Sequence, residues 1–167
     1  MEPIGVYVQH AMQILRRIIK RIFLLLFGVI SLLVAVFLLY CNSLENVNPV
    51  TVGYYTQLKA SLKAKGYNDN LLVISSKRAK WHNEVLTLFG ASSTSRHLSG
   101  EAIDIMVMDV NDDGIMDARD VEVVYTILNS EIVKNKGGLG VYKSEPGIWN
   151  RQMVHLDCRD RKARWSR

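Results

Sequence analysis

The chain predicts an α+β domain carried behind a single transmembrane helix, and three features of its 167 residues lead there. Ile22 to Tyr40 is a run of 19 residues without a charge, long enough to cross a bilayer. After it, helical spacing of apolar residues dominates the first part of the chain, and short apolar runs with period-two alternation dominate the last. Helices first and strands later indicate α+β rather than a regular β/α alternation.

Residues 1–21 form a basic amphipathic segment whose apolar positions run at helical spacing into the membrane helix, so the two read as one rod ending near Cys41. Arg16, Arg17, Lys20 and Arg21 precede the apolar run and only Glu2 opposes them. The positive-inside bias therefore leaves the N-terminus in the cytoplasm and exports everything beyond the 22–41 anchor. A cleaved signal peptide fits less well, because the run exceeds the usual apolar region and no Ala-x-Ala-like site follows. Leu38-Leu39-Tyr40-Cys41 loosely resembles a lipoprotein cleavage site, but Tyr40 is bulky where a small residue belongs. Each alternative exports the domain.

Of the net charge of +5, residues 1–42 hold four Lys/Arg against one acid and residues 43–167 hold seventeen against fifteen. A nearly balanced, outward-facing domain is a poor nucleic-acid binder. The basic tail of Arg159, Arg161, Lys162, Arg164 and Arg167 reads as a solvated run that could also meet an anionic envelope polymer. Two cysteines, Cys41 and Cys158, exclude a disulfide framework and a Cys-rich zinc knuckle, leaving one disulfide between them open.

Residues 42–49 read as a polar linker, and the exported domain is placed at 50–167. Thr51 to Lys65 is an amphipathic helix with Tyr54, Leu58 and Leu62 on one stripe, stopped by Gly66. Leu71 to Ile74 suits a buried strand, and Trp81 to Phe89 resumes helical spacing before Gly90. Ala102 to Met108 and Met153 to Asp157 read as strands. Alternation puts Asp104 on one face with Ala102 and Met106, and His155 on one face with Asp157. Tyr54, Tyr55, Trp81, Phe89, Tyr125, Tyr142 and Trp149 are assigned to core or cleft walls.

The chemistry concentrates in Ser95-Arg96-His97-Leu98-Ser99-Gly100-Glu101-Ala102-Ile103-Asp104, answered by Val154-His155-Leu156-Asp157. Together these offer two imidazoles and a carboxylate to one metal. Three such ligands leave one zinc position for water, the pattern of catalytic sites. His97 and Asp104 are seven residues apart and cannot share a helix face, so a turn at Gly100 must bring them together.

Ser95-x-His97-x-x-Gly100-x-Ala102-x-Asp104 resembles the zinc signature of the D-Ala-D-Ala carboxypeptidase family, which shares its fold with the Hedgehog signalling domain. Val154-His155-Leu156-Asp157 is similar to that family's later ligand strand. Ser75-Ser76-Lys77-Arg78 with His82-Asn83 is similar to its Ser-Gly-Tyr-Arg…His-Asn segment. Gly137-Gly138-Leu139-Gly140-Val141-Tyr142 and Arg164-Trp165 resemble a Gly-rich strand and ending found in a branch of small exported members. The resemblance spans about residues 50–167, in order. It implies a small domain with a central antiparallel sheet, zinc on His97, Asp104 and His155, Arg78 as a catalytic-site clamp for the substrate carboxylate, and Ser95 beside it in the substrate-binding set. It departs at Gln152, where characterised members carry Glu or Asp as general base; an amide cannot take that proton. Asp157 or Glu145 could be the base, or Asp157 could orient His155.

Asp109, Asn111, Asp113, Asp117 and Asp120 fall at positions 1, 3, 5, 9 and 12 of a loop with Gly114 at 6. Ile115 at position 7 would add a backbone carbonyl. This is a calcium-loop pattern, with Val121 to Leu128 as the exiting helix. A strand enters it and Asp closes it, so it resembles dockerin loops more than a paired EF-hand. The ion is read as structural, stiffening the insertion after the Asp104 strand.

These readings give the expected function: a zinc metallopeptidase of the bacterial inner (plasma) membrane, single-pass, acting on D-Ala-containing peptidoglycan stem peptides as D,D-carboxypeptidase or endopeptidase. The alternatives are a non-catalytic zinc-bearing peptidoglycan-binding module and a phage-type lysin held by a signal anchor.

Overall fold

The computed structural model describes residues 4–142 and 152–166 and divides the chain into two compact units, 1–40 and 41–167. The first consists of helix α1 (Ile4–Asn42), which contains a span, Met12–Phe37, long and apolar enough to cross a membrane. Twenty-six residues rise about 39 Å as a helix, beyond the roughly 30 Å hydrocarbon thickness. The expected rod is present.

In the second unit, α2 (Pro49–Ala64) begins where the Asn48 side chain accepts from Val50 N at 2.9 Å and Pro49 supplies a preset φ. It ends at Gly66, whose φ of +79° lets Gly66 N and Tyr67 N return to Lys63 O and Leu62 O. Leu58 and Leu62 are fully buried, as their stripe predicts. The polar segment before α2 is only partly a linker. Val47 is buried in the core, and Asn48 N donates to Gly100 O at 2.8 Å. An apolar Val amid asparagines found a pocket that composition does not reveal.

Strand β1 (Leu71–Ser75), helix α3 (Lys80–Thr87), β2 (Ala102–Val107), α4 (Ala118–Ile127) with a π-helical turn (Leu128–Ile132), β3 (Gly138–Tyr142), β4 (Met153–Asp157) and β5 (Ala163–Ser166) complete the unit. The sheet order is β1-β2-β4-β3-β5. All neighbours are antiparallel except β3 and β5, so the sheet is mixed rather than wholly antiparallel.

One face of the sheet carries Ile103, Ile105, Val107, Val154, Leu156, Leu139 and Val141, all buried against α2 and α4. The other carries the chemistry. Pairing aligns Ser75, Asp104, His155, Gly140 and Trp165 as one row across all five strands. A register shift between Val73 and Ser75 turns Ser75 onto that face.

The basic tail is not simply solvated. Arg164 reaches the other way, donating to Asn129 Oδ1 at 2.7 Å, Lys134 O at 2.7 Å and Gly137 O at 2.8 Å, and so closes the β3 turn. Trp81 is 59% exposed and belongs to neither core nor cleft wall, whereas Phe89 and Tyr142 do line the cleft. Trp149 and Arg167 lie outside the described residues. Cys158 is a free thiol.

Gly66 and Gly100 give a paired test of backbone strain. Both have positive φ, +79° and +72°, but an added Cβ meets nothing within 4 Å at Gly66 and overlaps Asn46 O at Gly100. Gly66→Ala should lose about 1–2 kcal/mol, the left-handed penalty alone, and Gly100→Ala distinctly more. Denaturant unfolding of the full chain in detergent measures both, and equal losses would contradict the Asn46 contact.

Candidate metal centre

His97 comes from the loop before β2, and Asp104 and His155 from facing positions of β2 and β4. Gly100, in the left-handed region, allows the loop to fold back so that Gly100 N donates to His97 O at 3.2 Å. The same carbonyl accepts from Arg78 N at 2.9 Å, tying the post-β1 segment to the His97 loop. The three side chains predicted from sequence are thereby brought together, their ligand atoms all within 4.8 Å of one another. They form the one group of three or more His, Cys, Asp or Glu side chains able to hold a metal among the described residues.

The donor chemistry fits a cation. His97 Nδ1–H donates to Ser76 O at 2.7 Å, which leaves Nε2 as a lone pair. That Nε2 is buried without a hydrogen-bond partner and stands 3.2 Å from Asp104 Oδ2, itself an acceptor. Two acceptors facing each other in a buried site want a positive charge between them. His155 repeats the arrangement: Nε2 faces Asp157 Oδ2 at 3.3 Å and Nδ1 faces Asp104 Oδ1 at 2.8 Å. Tetrahedral zinc ligands sit about 3.3 Å apart, close to the 3.2 Å between His97 Nε2 and Asp104 Oδ2. Each imidazole is held through its other nitrogen by an oxygen, the usual support of a metal-bound histidine.

Burial raises the Asp104 carboxyl, but its interactions with the His97 and His155 imidazoles outweigh that and hold the group well below the carboxylate range. Burial lowers His155, yet hydrogen bonds to Asp104 and Asp157 prevail and push it up to about 9. Asp157 is raised by burial and lowered more by His155 and Arg159, ending well below its ordinary value.

Asp157 is fully buried, and Gly138 N, Arg159 N and Arg159 Nε all donate to Oδ1, at 2.9, 3.1 and 2.8 Å. Its geometry is that of a group orienting His155, the second of the roles its sequence leaves open, rather than of a free base. Glu145 lies outside the described residues. Gln152 is buried, and its backbone carbonyl accepts from Val107 N at 2.8 Å.

Arg78 is brought to the site but spends its fork on the protein: Nη2 pairs with Asp104 Oδ2 at 2.6 Å and Nε donates to Ser75 Oγ at 2.8 Å. The triad opens into a cleft of about 730 Å³ that includes Arg78, Ser95, Arg159, Arg161, Tyr142 and Trp165. Ser95 is half-buried and its Oγ accepts from His97 N at 3.4 Å, so it shapes the ligand loop as well as the wall. Sequence reading missed Trp165 and Arg159 as neighbours of His155. The available clue was that Gly138 and Gly140, two apart on one strand, leave that face bare for them.

The calcium-pattern residues behave differently. Asp109 accepts from Asp113 N and Gly114 N, Asn111 from Asp113 N, and Asp113 from Ile115 N, while Arg119 pairs with Asp113 and Asp117. Asp117 caps α4, accepting from Arg119 N at 2.7 Å. Asp120 is fully buried and accepts from Val110, Asn111 and Asp117 N–H, locking the ends of the loop together instead of facing the other acids.

In the metal-free protein His155 gains its proton on folding. Its contribution to stability is therefore complete below about 6.5 and is lost as pH rises through about 9. Melting of the chelator-treated full chain should fall across that window, and His155→Gln should flatten the fall; a profile indifferent to His155 would contradict the Asp104–His155–Asp157 contacts. No model of a known protein family matches the chain, and no curated protein matches it either.

Proposed function

We propose that this chain is a membrane-anchored zinc metallopeptidase of the cell envelope that acts on D-Ala-containing peptidoglycan stem peptides, as carboxypeptidase or endopeptidase. The observation that carries the reading is the lone-pair edge of His97 held against Asp104 beside His155 at the base of an open cleft. The zinc chemistry, the substrate class and the Hedgehog-like fold rest on the motif resemblance, which supplies what geometry alone does not.

Zinc bound there would polarise the scissile carbonyl and lower the pKa of a water. The chain's own residues do the rest. Ser76 O and Asp157 fix the tautomers of His97 and His155 so that both present a lone pair to the same point. Arg78, once released from Asp104, would offer a planar fork suited to a C-terminal carboxylate. Phe89, Tyr142 and Trp165 give the cleft aromatic walls. Of the two candidates for the proton acceptor that Gln152 cannot be, Asp157 and Glu145, Asp157 is engaged by His155 and Arg159, which would leave the role to Glu145.

One observation favours a second reading, a zinc-bearing peptidoglycan-binding module without turnover: among the described residues lining the cleft, the only carboxylate is Asp104. We further propose a structural calcium in the 109–120 loop, supported by the ligand spacing and by Gly114 at φ +81° where the sharp turn falls.

Muropeptides incubated with the zinc-loaded full chain in detergent and followed by mass spectrometry should lose D-Ala or a cross-link, and His97→Ala should abolish the product. Full activity in His97→Ala sinks the enzyme reading; binding without product in a zinc-loaded wild type selects the module. Glu145→Gln should remove turnover while keeping zinc affinity, whereas Asp157→Asn should weaken zinc about 10–100-fold; the reverse pattern would exchange their roles. Adding calcium to the zinc-loaded protein should raise its melting temperature by several degrees in wild type and not in Asp109→Ala, and no rise in wild type counts against the loop site.

A further inference from the structure

The hydrogen bond to Asp157 leaves the His155 imidazole one freedom. In the metal-free site Nδ1 is held as well, by Asp104 Oδ1 at 2.8 Å, but a metal at that edge would replace this contact, and a ring then held by the protein at Nε2 alone can pivot, because the imidazole torsion is broad and soft. Something must restrain its face.

Trp165 does so from two strands away. The row Asp104–His155–Gly140–Trp165 runs across β2, β4, β3 and β5, and adjacent strands lie about 4.8 Å apart, so Trp165 must lean over roughly 10 Å to touch His155. Gly140 makes the approach possible: a Cβ there would overlap the indole ring itself. The two rings meet with centroids 5.2 Å apart at 49°, and His97 meets His155 edge-on at 5.1 Å.

The indole is itself held. Its Nε1–H donates to Tyr142 Oη at 3.4 Å, and the Arg159 guanidinium stands over the ring, 5.4 Å from its centroid. Arg159 also grips Asp157 through Nη2 at 2.5 Å. One arginine therefore braces both supports of His155, the carboxylate at its edge and the ring at its face. Gly138 completes the cradle, since a Cβ at that position would overlap the Asp157 carboxylate.

We propose that Trp165 is a positioning residue of the metal centre: laid over the bare backbone of Gly140, its indole fixes the rotation of His155 so that Nδ1 points at the position shared with His97 and Asp104. Trp165 stands on the short strand at the sheet's edge and is only half-buried, so its removal subtracts little from the apolar core on the opposite face. The inference rests on the metal-binding reading of the triad and goes beyond it in assigning the face restraint.

The test uses the full chain in detergent, with zinc affinity from competition against a chromophoric chelator, the visible spectrum of the cobalt-substituted protein, and metal-free melting. Trp165→Ala should weaken zinc about 10–100-fold, the range for lost supports of metal ligands, and shift the cobalt bands, with Trp165→Phe within a few-fold of wild type. Gly140→Ala, which displaces the indole without deleting it, should reproduce the loss. Zinc affinity within twofold of wild type and an unchanged cobalt spectrum in a folded Trp165→Ala overturn the clamp. Should that variant melt out, wild-type affinity in Gly140→Ala overturns it equally. A wild-type chain that binds no zinc overturns the metal reading, and the clamp with it.

Discussion

The pairing register of β2 with β4 is the constraint on which the site depends. Asp104 stands opposite His155 because Ile103 and Ile105 stand opposite Leu156 and Val154 on the other face. A slip of one residue would turn Asp104 and His155 toward the helices and the four apolar side chains toward solvent. Burying each such side chain is worth about 1.5–3 kcal/mol, far more than any preference the unliganded polar residues have for one another. The hydrophobic face thus sets the spacing of the polar one, and the helices α2 and α4 that cover it act on the chemistry without touching it.

That arrangement forces two carboxylates, Asp104 and Asp157, out of water. An unpaired buried charge is strongly destabilising, and each acid here is matched by an arginine and shares His155 between them. The imidazoles beside Asp104, and His155 with Arg159 beside Asp157, hold both acids ionised, and the two carboxylates hold His155 protonated. The proton on His155 occupies the role a metal would take, since a bound imidazole must be neutral at its ligand nitrogen. The metal-free fold is therefore satisfied electrostatically at His155 and left unsatisfied at His97 Nε2, the one buried lone pair in the triad that the proton does not serve.

How much of this was legible follows from the range of the forces involved. Strands β1, β2 and β4 and the helices Thr51–Lys65 and Trp81–Phe89 were readable, because period and stop residues are local, whereas β5 was hidden in the basic tail. The triad was readable from motif order, and alternation correctly put Asp157 on the face of His155. The supports were not. Gly140, Trp165 and Arg159 matter only once β3 is inserted between β4 and β5, and that neighbour order is a consequence of packing rather than of spacing. Val47 and Arg164 were misread for the same reason, since a polar context hides an apolar anchor and a basic run hides an arginine that caps carbonyls inside the fold. Asp120 shows the converse. Its position in a ligand pattern is plain in the sequence, but three backbone N–H groups within reach claim its carboxylate.

The pairing of Arg78 has a further consequence on the metallopeptidase reading. Its guanidinium sits on Asp104 Oδ2, the same oxygen that faces His97 Nε2. A carboxylate oxygen engaged by a divalent charge has less negative potential left for a guanidinium, and two positive groups at that distance repel. Arg78 would then be pushed from Asp104 while remaining anchored through Nε to Ser75 Oγ, so the freed edge swings into the cleft it already lines. Clamp and metal would then be coupled, with the arginine available to an anionic group in the cleft only when the triad is loaded. Ser75 would be the pivot of that exchange, and the register shift in β1 is what puts it on the face of Asp104 and His155.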